Sequence, residues 1–320
     1  MKILVTGGAG FIGSNFIRNI LSKYSDIELI NLDKLTYAGN LENLKDIENN
    51  KNYKFIKGDI CDAELVNSLT KDIDIIFNFA AESHVDRSIN DPFVFTKSNT
   101  LGTHTLLEAA RKNNIKKFIQ ISTDEVYGST KEDSFKETDN LKPSSPYSVS
   151  KAAADLMCLS YHTTFDMPVI ITRTTNNFGP HQYPEKVIPL FITNLMEGKK
   201  VPLYGTGKNI RDWIYVVDNC EAIWFAAEKG KIGDVYNIGG GNEKENIEIT
   251  NSILKEMDKD KSDIEYVKDR LGHDWRYSLD CTKIHKLGWK PKHNFEDALK
   301  DTIYWYKKNI NWWEKLKTIK

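Results

Sequence analysis

The sequence predicts an α/β fold: a Rossmann-like doubly wound parallel sheet with a smaller, discontinuous C-terminal α+β substrate domain. Three observations carry this. Short β-branched apolar runs alternate with helical patterns through the first half of the chain. Those runs lack polar alternation, as strands buried on both faces do. The first of them opens into a glycine turn, Gly7-Gly8-Ala9-Gly10-Phe11-Ile12-Gly13, followed by a helical pattern.

In chain order, Lys2–Thr6 reads as a strand and Phe11–Tyr24 as a helix. Strands are expected at Glu28–Asp33, Tyr53–Lys57 and Ile73–Ala80. A helix follows over Asn99–Asn113, then a strand over Lys117–Ser122, a helix after Tyr147 and a strand over Val169–Arg173. The texture then changes. Asn176–Tyr183, rich in Asn, Gly and Pro, reads as a loop. Val187–Glu197 reads as a helix and Val201–Gly207 as strand and turn. The first texture returns with a helix over Val216–Glu228 and a strand over Asp234–Ile238, and charge density rises from Glu243 onward. The expected division assigns 1–173 and 213–242 to a dinucleotide-binding domain and 174–212 and 243–320 to a substrate domain.

The chain has 320 residues, enough for one large or two modest domains. Its 44 basic and 45 acidic residues give a net charge of −1, which argues against nucleic acid or an anionic membrane as a partner. Locally, Arg211, Arg270, His273 and Arg276 could hold a small anion. No apolar run approaches the roughly 18–20 residues of a membrane span. The first strand begins at Lys2, leaving no space for a signal peptide, so a cytoplasmic location is expected. Cys61, Cys158, Cys220 and Cys281 are scattered without CxxC pairs or metal-like spacing; reduced thiols and no metal are expected. The Trp- and Tyr-rich tail (Trp305, Tyr306, Trp312, Trp313) reads as packing rather than a base-stacking platform.

Gly7, Gly10 and Gly13 stand at G-x-x-G-x-x-G spacing. This differs from the G-x-G-x-x-G dinucleotide fingerprint, but the physical demand is the same. A tight turn brings bare backbone to a pyrophosphate at a helix N-terminus, and the third glycine lets helix and strand pack closely. Asp33 ends the next strand, where a carboxylate accepts the ribose hydroxyls of NAD and repels the extra phosphate of NADP. Lys34 beside it weakens that preference slightly. Asp59-Ile60 ends the third strand, where an adenine-contacting pair would sit, although Asp59 could equally cap the next helix.

Tyr147-Ser148-Val149-Ser150-Lys151 begins a helix, so Tyr147 and Lys151 share a face. A free tyrosine has a pKa of about 10. A neighbouring ammonium and a cationic nicotinamide would lower it toward use as a base. Ser122-Thr123-Asp124-Glu125-Val126-Tyr127-Gly128 sets two adjacent carboxylates at the C-terminal end of a parallel strand, where ligands of such sheets bind. Moving a hydride and one hydroxyl proton needs no such pair. Eliminating water across two carbons needs a base for a carbon-bound proton and an acid for the departing hydroxyl.

With these motifs in register, the chain resembles the extended short-chain dehydrogenase/reductases, and within them the dTDP-glucose 4,6-dehydratases. The resemblance spans nearly the whole length. It rests also on Asn78 to Ser88, Asn176-Asn177-Phe178-Gly179-Pro180, Pro184-Glu185-Lys186, Arg211-Asp212-Trp213, Asn237 to Gly240 with Asn242-Glu243-Lys244 and Asn246, and Asp269-Arg270-Leu271-Gly272-His273-Asp274. Thr174-Thr175, Phe178 and Trp275 depart from the usual Cys-Ser, Tyr and Arg.

The resemblance implies a mechanism. Tyr147 takes the proton of the sugar 4-hydroxyl, held by Thr123, while hydride leaves carbon 4 for NAD. Glu125 removes the carbon-5 proton, protonated Asp124 serves the leaving 6-hydroxyl, and hydride returns to carbon 6. It further implies that NAD touches Gly7, Gly10, Phe11, Ile12, Gly13, Asp33, Lys34, Leu35, Thr36, Asp59 and Ile60. The remaining cofactor contacts would be Phe79, Ala80, Ala81, Ser98, Tyr147, Lys151 and Asn177. The nucleotide sugar would touch Ser83, Thr123, Asn176, Lys186, Val187, Pro202, Leu203, Tyr204, Arg211, Asn246, Asp269, Arg270 and His273. Arg211 and Arg270 suit a diphosphate as bidentate partners. His84 lies near the site without an assigned role. A homodimer pairing through the helix after Tyr147 is implied, and Ala152-Ala153-Ala154 would permit close approach, though small residues also suit burial within one subunit. Thymidine is favoured by resemblance alone, with UDP- and CDP-glucose as alternatives. A 4-epimerase or decarboxylase would keep Tyr147 and Lys151 without needing Asp124 and Glu125. A silent NAD-binding regulator would need neither set.

Overall fold

The structure is a computed structural model and describes residues 1–269 and 273–318. Seven parallel strands form the main sheet: β1 (Lys2–Thr6), β2 (Glu28–Asp33), β3 (Tyr53–Lys57), β4 (Ile75–Asn78), β5 (Lys117–Thr123), β6 (Val169–Thr174) and, later in the chain, β10 (Val235–Ile238). Their order is β10-β6-β5-β4-β1-β2-β3. All residues of β6 and all but the first of β5 are buried, which is why their sequences carry unbroken apolar runs. Helices Phe11–Lys23 and Val216–Lys229 cover one face; Ala63–Leu69, Gly102–Lys112 and Pro146–Phe165 cover the other. The chain reverses direction across the sheet between β1 and β4, and a crevice opens there beyond the carboxyl ends of the strands.

The helix Pro146–Phe165 is bounded by local chemistry. Ser145 and Ser148 make a reciprocal capping box, and Pro146 occupies the first turn, where its missing N–H costs nothing. Asp166 ends the helix in the left-handed region, with φ of 54°. The segment before the helix Gly102–Lys112 departs from the expected regular start at Asn99. Residues Thr96–Leu101 wind as a π-helical turn. Such turns re-aim side chains, and here Ser98 lines the crevice.

The smaller unit carries β7 (Asn176–Phe178), β8 (Val201–Tyr204), β9 (Ile210–Tyr215), β11 (Glu243–Glu245) and β12 (Ile264–Val267) in two small sheets, β11-β9-β7 and β12-β8. The expected loop at Asn176–Tyr183 is therefore corrected: its first three residues pair in parallel with Trp213–Tyr215. Phe178 decides this. Its ring is buried against Trp213, Tyr215 and Phe295, so it anchors a strand inside a polar-looking stretch. The main sheet has a core on each face and the smaller unit supplies a third; the tail is packing, as read, with Tyr306 and Trp313 in that third core. Trp312 also donates its indole N–H to Asn43 at 2.9 Å, and Asn43 donates to the Ala9 carbonyl at 2.9 Å. The last helix thus ties the smaller unit to the glycine turn.

A buried charged pair joins β6 of the main sheet to the helix Pro146–Phe165. Arg173 Nε meets Asp155 Oδ2 at 2.9 Å, their side chains 3% and 0% exposed. Arg173 Nη1 donates to the Tyr127 hydroxyl at 2.8 Å, which donates to Asn237 at 2.9 Å. Removing one member of a buried pair leaves the other charge uncompensated, at a typical cost of about 3–5 kcal/mol. Arg173→Met is expected to lower the unfolding free energy in urea by about that amount. A loss below about 1 kcal/mol would remove the pair from the account of the fold.

Candidate active site

One cleft of about 310 Å³ runs from the glycine turn to the ends of β5 and β6. At the turn, each glycine answers a different demand. A Cβ on Gly7, at φ +69°, would lie 2.6 Å from the Ala80 backbone; one on Gly13 would lie 2.5 Å from the Gly7 carbonyl oxygen. A Cβ on Gly10 would meet only the Gly7 carbonyl, at 3.3 Å, and would stand in the cleft. No side chain caps the helix that starts at Phe11. Its first N–H groups and the positive end of its dipole face a space that bare backbone keeps open, a cradle that fits a pyrophosphate.

Asp33 accepts from the backbone N–H of Ala9 at 2.9 Å and of Leu35 at 2.8 Å. Each carboxylate oxygen keeps a further lone pair for a ligand hydroxyl. Burial holds its pKa up, against these two bonds. Leu35, at φ 57°, bends the chain so that Thr36 rather than its own side chain lines the cleft. Lys34 pairs with Asp59 at 2.8 Å. Its charge is thereby neutralised, so the expected weakening of the preference against a 2′-phosphate is muted. Asp59 does not cap the next helix; Asp62 does. Ile60, Phe79, Ala80, Ala81 and Ser98 line the cleft with them. So does Asn177, whose Nδ2 is held by Thr174 and the Thr175 carbonyl while its buried Oδ1 has no partner among the described residues.

At the far end, Thr123 closes β5 and a 3₁₀ turn, Asp124–Tyr127, follows at once. Asp124 is 3% exposed. Its Oδ1 accepts from the Thr123 hydroxyl at 3.1 Å, and its buried Oδ2 has no partner among the described residues. Burial and the neighbouring Glu125 charge push its pKa well above the carboxylate range, more than Thr123 and Arg211 pull it down. Asp124 therefore keeps its proton where an ordinary aspartate has lost it. Glu125 is half-buried and donates its backbone N–H to Thr123 Oγ1 at 3.3 Å. Tyr147 and Lys151 line the same cleft.

Among the chain's own groups, burial first and the Glu125 charge second raise the Tyr147 pKa, with the hydrogen bond to Thr123 working the other way. Lys151 is buried, and its Nζ donates to the Ile121 carbonyl at 2.6 Å. Burial lowers the Lys151 pKa while Asp155, one helical turn on, raises it.

The expected substrate residues divide in two. Ser83, Asn176 and Lys186 line the cleft, and Lys186 Nζ donates to the Ser83 carbonyl at 3.0 Å. Val187, Pro202, Leu203, Tyr204, Arg211, Asn246, Asp269 and His273 lie outside the cleft lining. Val187 packs on the third core and Leu203 lies within it, so the Leu203 side chain is structural. Tyr204 meets the His273 ring edge-on, and His273 pairs with Asp269 at 2.6 Å. Asn246 opens the helix Asn246–Glu256, its N–H on the Asn209 carbonyl. Arg211 is buried, stacked on Tyr277 and donating to the carbonyls of Ile210, Asp274 and Trp275. It braces the 274–277 segment and still reaches Asp124 with its charge. Arg276, expected beside a small anion, is instead taken up by a two-point pair with Glu243. Arg270 lies outside the described residues. Among the described residues no group of three or more His, Cys, Asp or Glu is placed to hold a metal.

Among the cleft residues outside the expected set are Tyr37, Glu82 and Glu185. Glu82 is buried, and its backbone is clamped at both ends by Asn99, which also bonds Ser150. Tyr37 and Glu185 meet across 148 positions of chain, a distance no local pattern spans.

A family model described as GDP-mannose 4,6 dehydratase matches residues 4–302. A dTDP-glucose 4,6-dehydratase of Streptomyces niveus is 49% identical over 323 residues, covering 99% of this chain and 96% of that protein. The chain belongs to the dTDP-glucose 4,6-dehydratase family. Within that family, DesIV of Streptomyces venezuelae, a dTDP-glucose 4,6-dehydratase solved with NAD and dTDP bound, superposes with a TM-score of 0.97. It is 48% identical, covering 99% of this chain and all of that one. The scaffold is wider than the dehydratases. A UDP-glucuronic acid 4-epimerase of Bacillus cereus superposes with a TM-score of 0.91 at 30% identity, covering 96% and 99%. Fold alone thus leaves the chemistry to the site.

The raised pKa of Asp124 has a consequence for stability. Below the unfolded value of 3.8 both states carry the proton. As pH rises from there through the folded value, the unfolded chain releases its proton and the native chain retains it, so native stability falls. Asp124→Asn never ionises. Its melting temperature relative to wild type is expected to be more favourable at pH 8 than at pH 4. An equal difference at both would refute a raised Asp124 pKa.

Proposed function

We propose that the protein converts dTDP-glucose to dTDP-4-keto-6-deoxyglucose and water. The observation that carries this is the pair Asp124 and Glu125, adjacent in sequence, in different environments, and lining one cleft with Tyr147 and Lys151. The family membership supports it. The cradle at Gly10, Asp33 and the open Asn177 Oδ1 fit NAD, which would supply a hydride acceptor for carbon 4 and a donor for carbon 6.

The chain's own groups carry the protons. Tyr147 takes the 4-hydroxyl proton, with Thr123 holding that oxygen. Its raised pKa means that positive charge from Lys151 and a bound cationic ring must favour the phenolate. Glu125 removes the carbon-5 proton, made acidic by the new ketone. Asp124, kept protonated by burial, gives its proton to the leaving 6-hydroxyl as water departs, and carbon 5 is reprotonated as a hydride is added at carbon 6. A 4-epimerase would have no use for this pair. We assign the cofactor to the unit of 1–173 and 213–242 and the nucleotide sugar to that of 174–212 and 243–320, although β9 runs through their boundary. Ser83, Asn176 and Lys186 would approach the sugar nucleotide, with Arg211, Asp269 and His273 on its outer flank.

We further infer a homodimer in the cytoplasm. Ala152 and Ala154 pack inside the subunit, so they do not supply the interface. Neighbouring helices instead expose Ile89, Phe93, Leu101, Val149, Leu156 and Phe165, with Phe93 74% exposed. An apolar face of this kind marks an association surface. All four cysteines are free thiols, which suits a reducing compartment.

Purified protein incubated with dTDP-glucose and no added cofactor is expected to yield a product lighter by one water in mass spectrometry. UDP- and CDP-glucose should react more slowly. Glu125→Gln and Asp124→Asn should each lower kcat by about 10²–10⁴. No mass change even with NAD supplied would overturn the reading; faster conversion of another nucleotide would keep the chemistry and reassign the base. Separately, Leu156→Glu should shift sedimentation from dimer to monomer. A wild-type protein that sediments as a monomer would refute the dimer.

A further inference from the structure

Tyr37 lies in the loop after β2, and Glu185 in the loop after β7. The Tyr37 hydroxyl donates to Glu185 Oε1 at 2.8 Å. Both side chains line the cleft, so this bond joins its two walls. It is reinforced from a third element. The Arg87 guanidinium lies 3.6 Å from the Tyr37 ring centroid, and its Nε lies 3.7 Å from Glu185 Oε2. Tyr183 meets the Tyr37 ring edge-on at 5.4 Å.

Both loops are held at their bases. Asp33 fixes the start of the Tyr37 loop through Leu35, and the Asn40 N–H closes it onto the Ala9 carbonyl at 3.0 Å, within the glycine turn. On the other wall, the Tyr306 hydroxyl holds the Gln182 carbonyl and Tyr183 holds the Leu316 carbonyl. The contact therefore spans two anchored walls and is not a chance pairing of mobile surface chains. The exposed Arg87–Glu185 ion pair alone would contribute little. The half-buried phenol–carboxylate bond under a stacked cation is the stronger element.

We propose that Tyr37, Glu185 and Arg87 form a latch that closes the cleft over its dinucleotide and keeps it resident between turnovers. The proposal rests on the assignment of NAD to this cleft. Its chemical purpose follows from the reaction. Loss of the cofactor after oxidation and before hydride return would strand the sugar as a ketone. None of the three side chains has a part in the proton transfers. They act as positioning residues through the walls of the cleft.

The test is the rate at which radiolabelled NAD leaves the loaded protein during a chase with unlabelled NAD. Wild type, Tyr37→Phe, Glu185→Gln and the double variant are compared. Each single variant is expected to release NAD about tenfold faster, the order for one hydrogen bond to a charged acceptor. Because both changes break the same bond, the double variant should release it little faster than either single one. Melting temperatures of the cofactor-free proteins should agree within a few degrees, which separates the latch from general destabilisation. Release within twofold of wild type, or a double variant that multiplies the single effects, would overturn the latch and leave the NAD assignment intact. Wild type that neither retains nor binds NAD would overturn both.

Discussion

The site depends on one buried charge pair, Arg173 with Asp155. Asp155 sits on the helix that carries Tyr147 and Lys151; Arg173 sits on β6, opposite Ser122 in the register with β5. Through Arg173 the pair grips Tyr127, the last residue of the turn that carries Asp124 and Glu125, and through Tyr127 it reaches Asn237 on β10. Four elements that bear or border the chemistry are thus pinned to one network. Burying two charges is costly, and apolar residues would often serve stability as well. What an apolar cluster would not supply is direction. A fork of N–H donors and a phenol fix angles as well as contact, and a low-dielectric setting stiffens each bond.

On that frame, position along the chain separates two chemically similar carboxyls. Asp124 and Glu125 are neighbours, yet the tight turn sends one into a buried pocket beneath Thr123 and leaves the other half-open to the cleft. Desolvation then does what primary structure alone cannot: it holds the pKa of one group well above the carboxylate range. The same desolvation and the same carboxylates oppose ionisation of Tyr147. A positive charge brought in by a bound ligand would act against that shift.

Much of this was legible in the sequence because the signals are local. The glycine turn, the strand-end Asp33 and the four-residue step from Tyr147 to Lys151 each need only a few adjacent residues, and the structure brings all of them to one cleft. The Asp-Glu pair was readable for the same reason. What escaped depends on distant chain. The Tyr37–Glu185 bond, the bracing of Arg211 by the carbonyls of Asp274 and Trp275, and the capture of Arg276 by Glu243 all join segments tens of residues apart or more. Phe178 shows a subtler limit. One large ring in a run of Asn, Gly and Pro outweighed the composition once a core existed to receive it. The burial that raises the Tyr147 pKa was not legible either, because the lysine is visible at fixed helical spacing while depth of burial is not.

The two-unit architecture makes sense of the remaining features. A reaction that borrows a hydride and returns it has no need to exchange its cofactor, but must exchange its sugar. The cofactor end is accordingly the more tightly tied. Asn43 joins Ala9 of the glycine turn to Trp312 of the last helix, so the terminal segment reaches back across the molecule to the first loop. The outer flank is built differently. Tyr204 and Asp269 are exposed, both meet His273, and all three are set on the smaller unit rather than on the main sheet. The loop at 182–186 bonds Asn177, Tyr37 on the opposite wall of the cleft and, through Lys186, the Ser83 carbonyl. A ligand that engaged Lys186 would therefore act on a loop already bonded to the opposite wall.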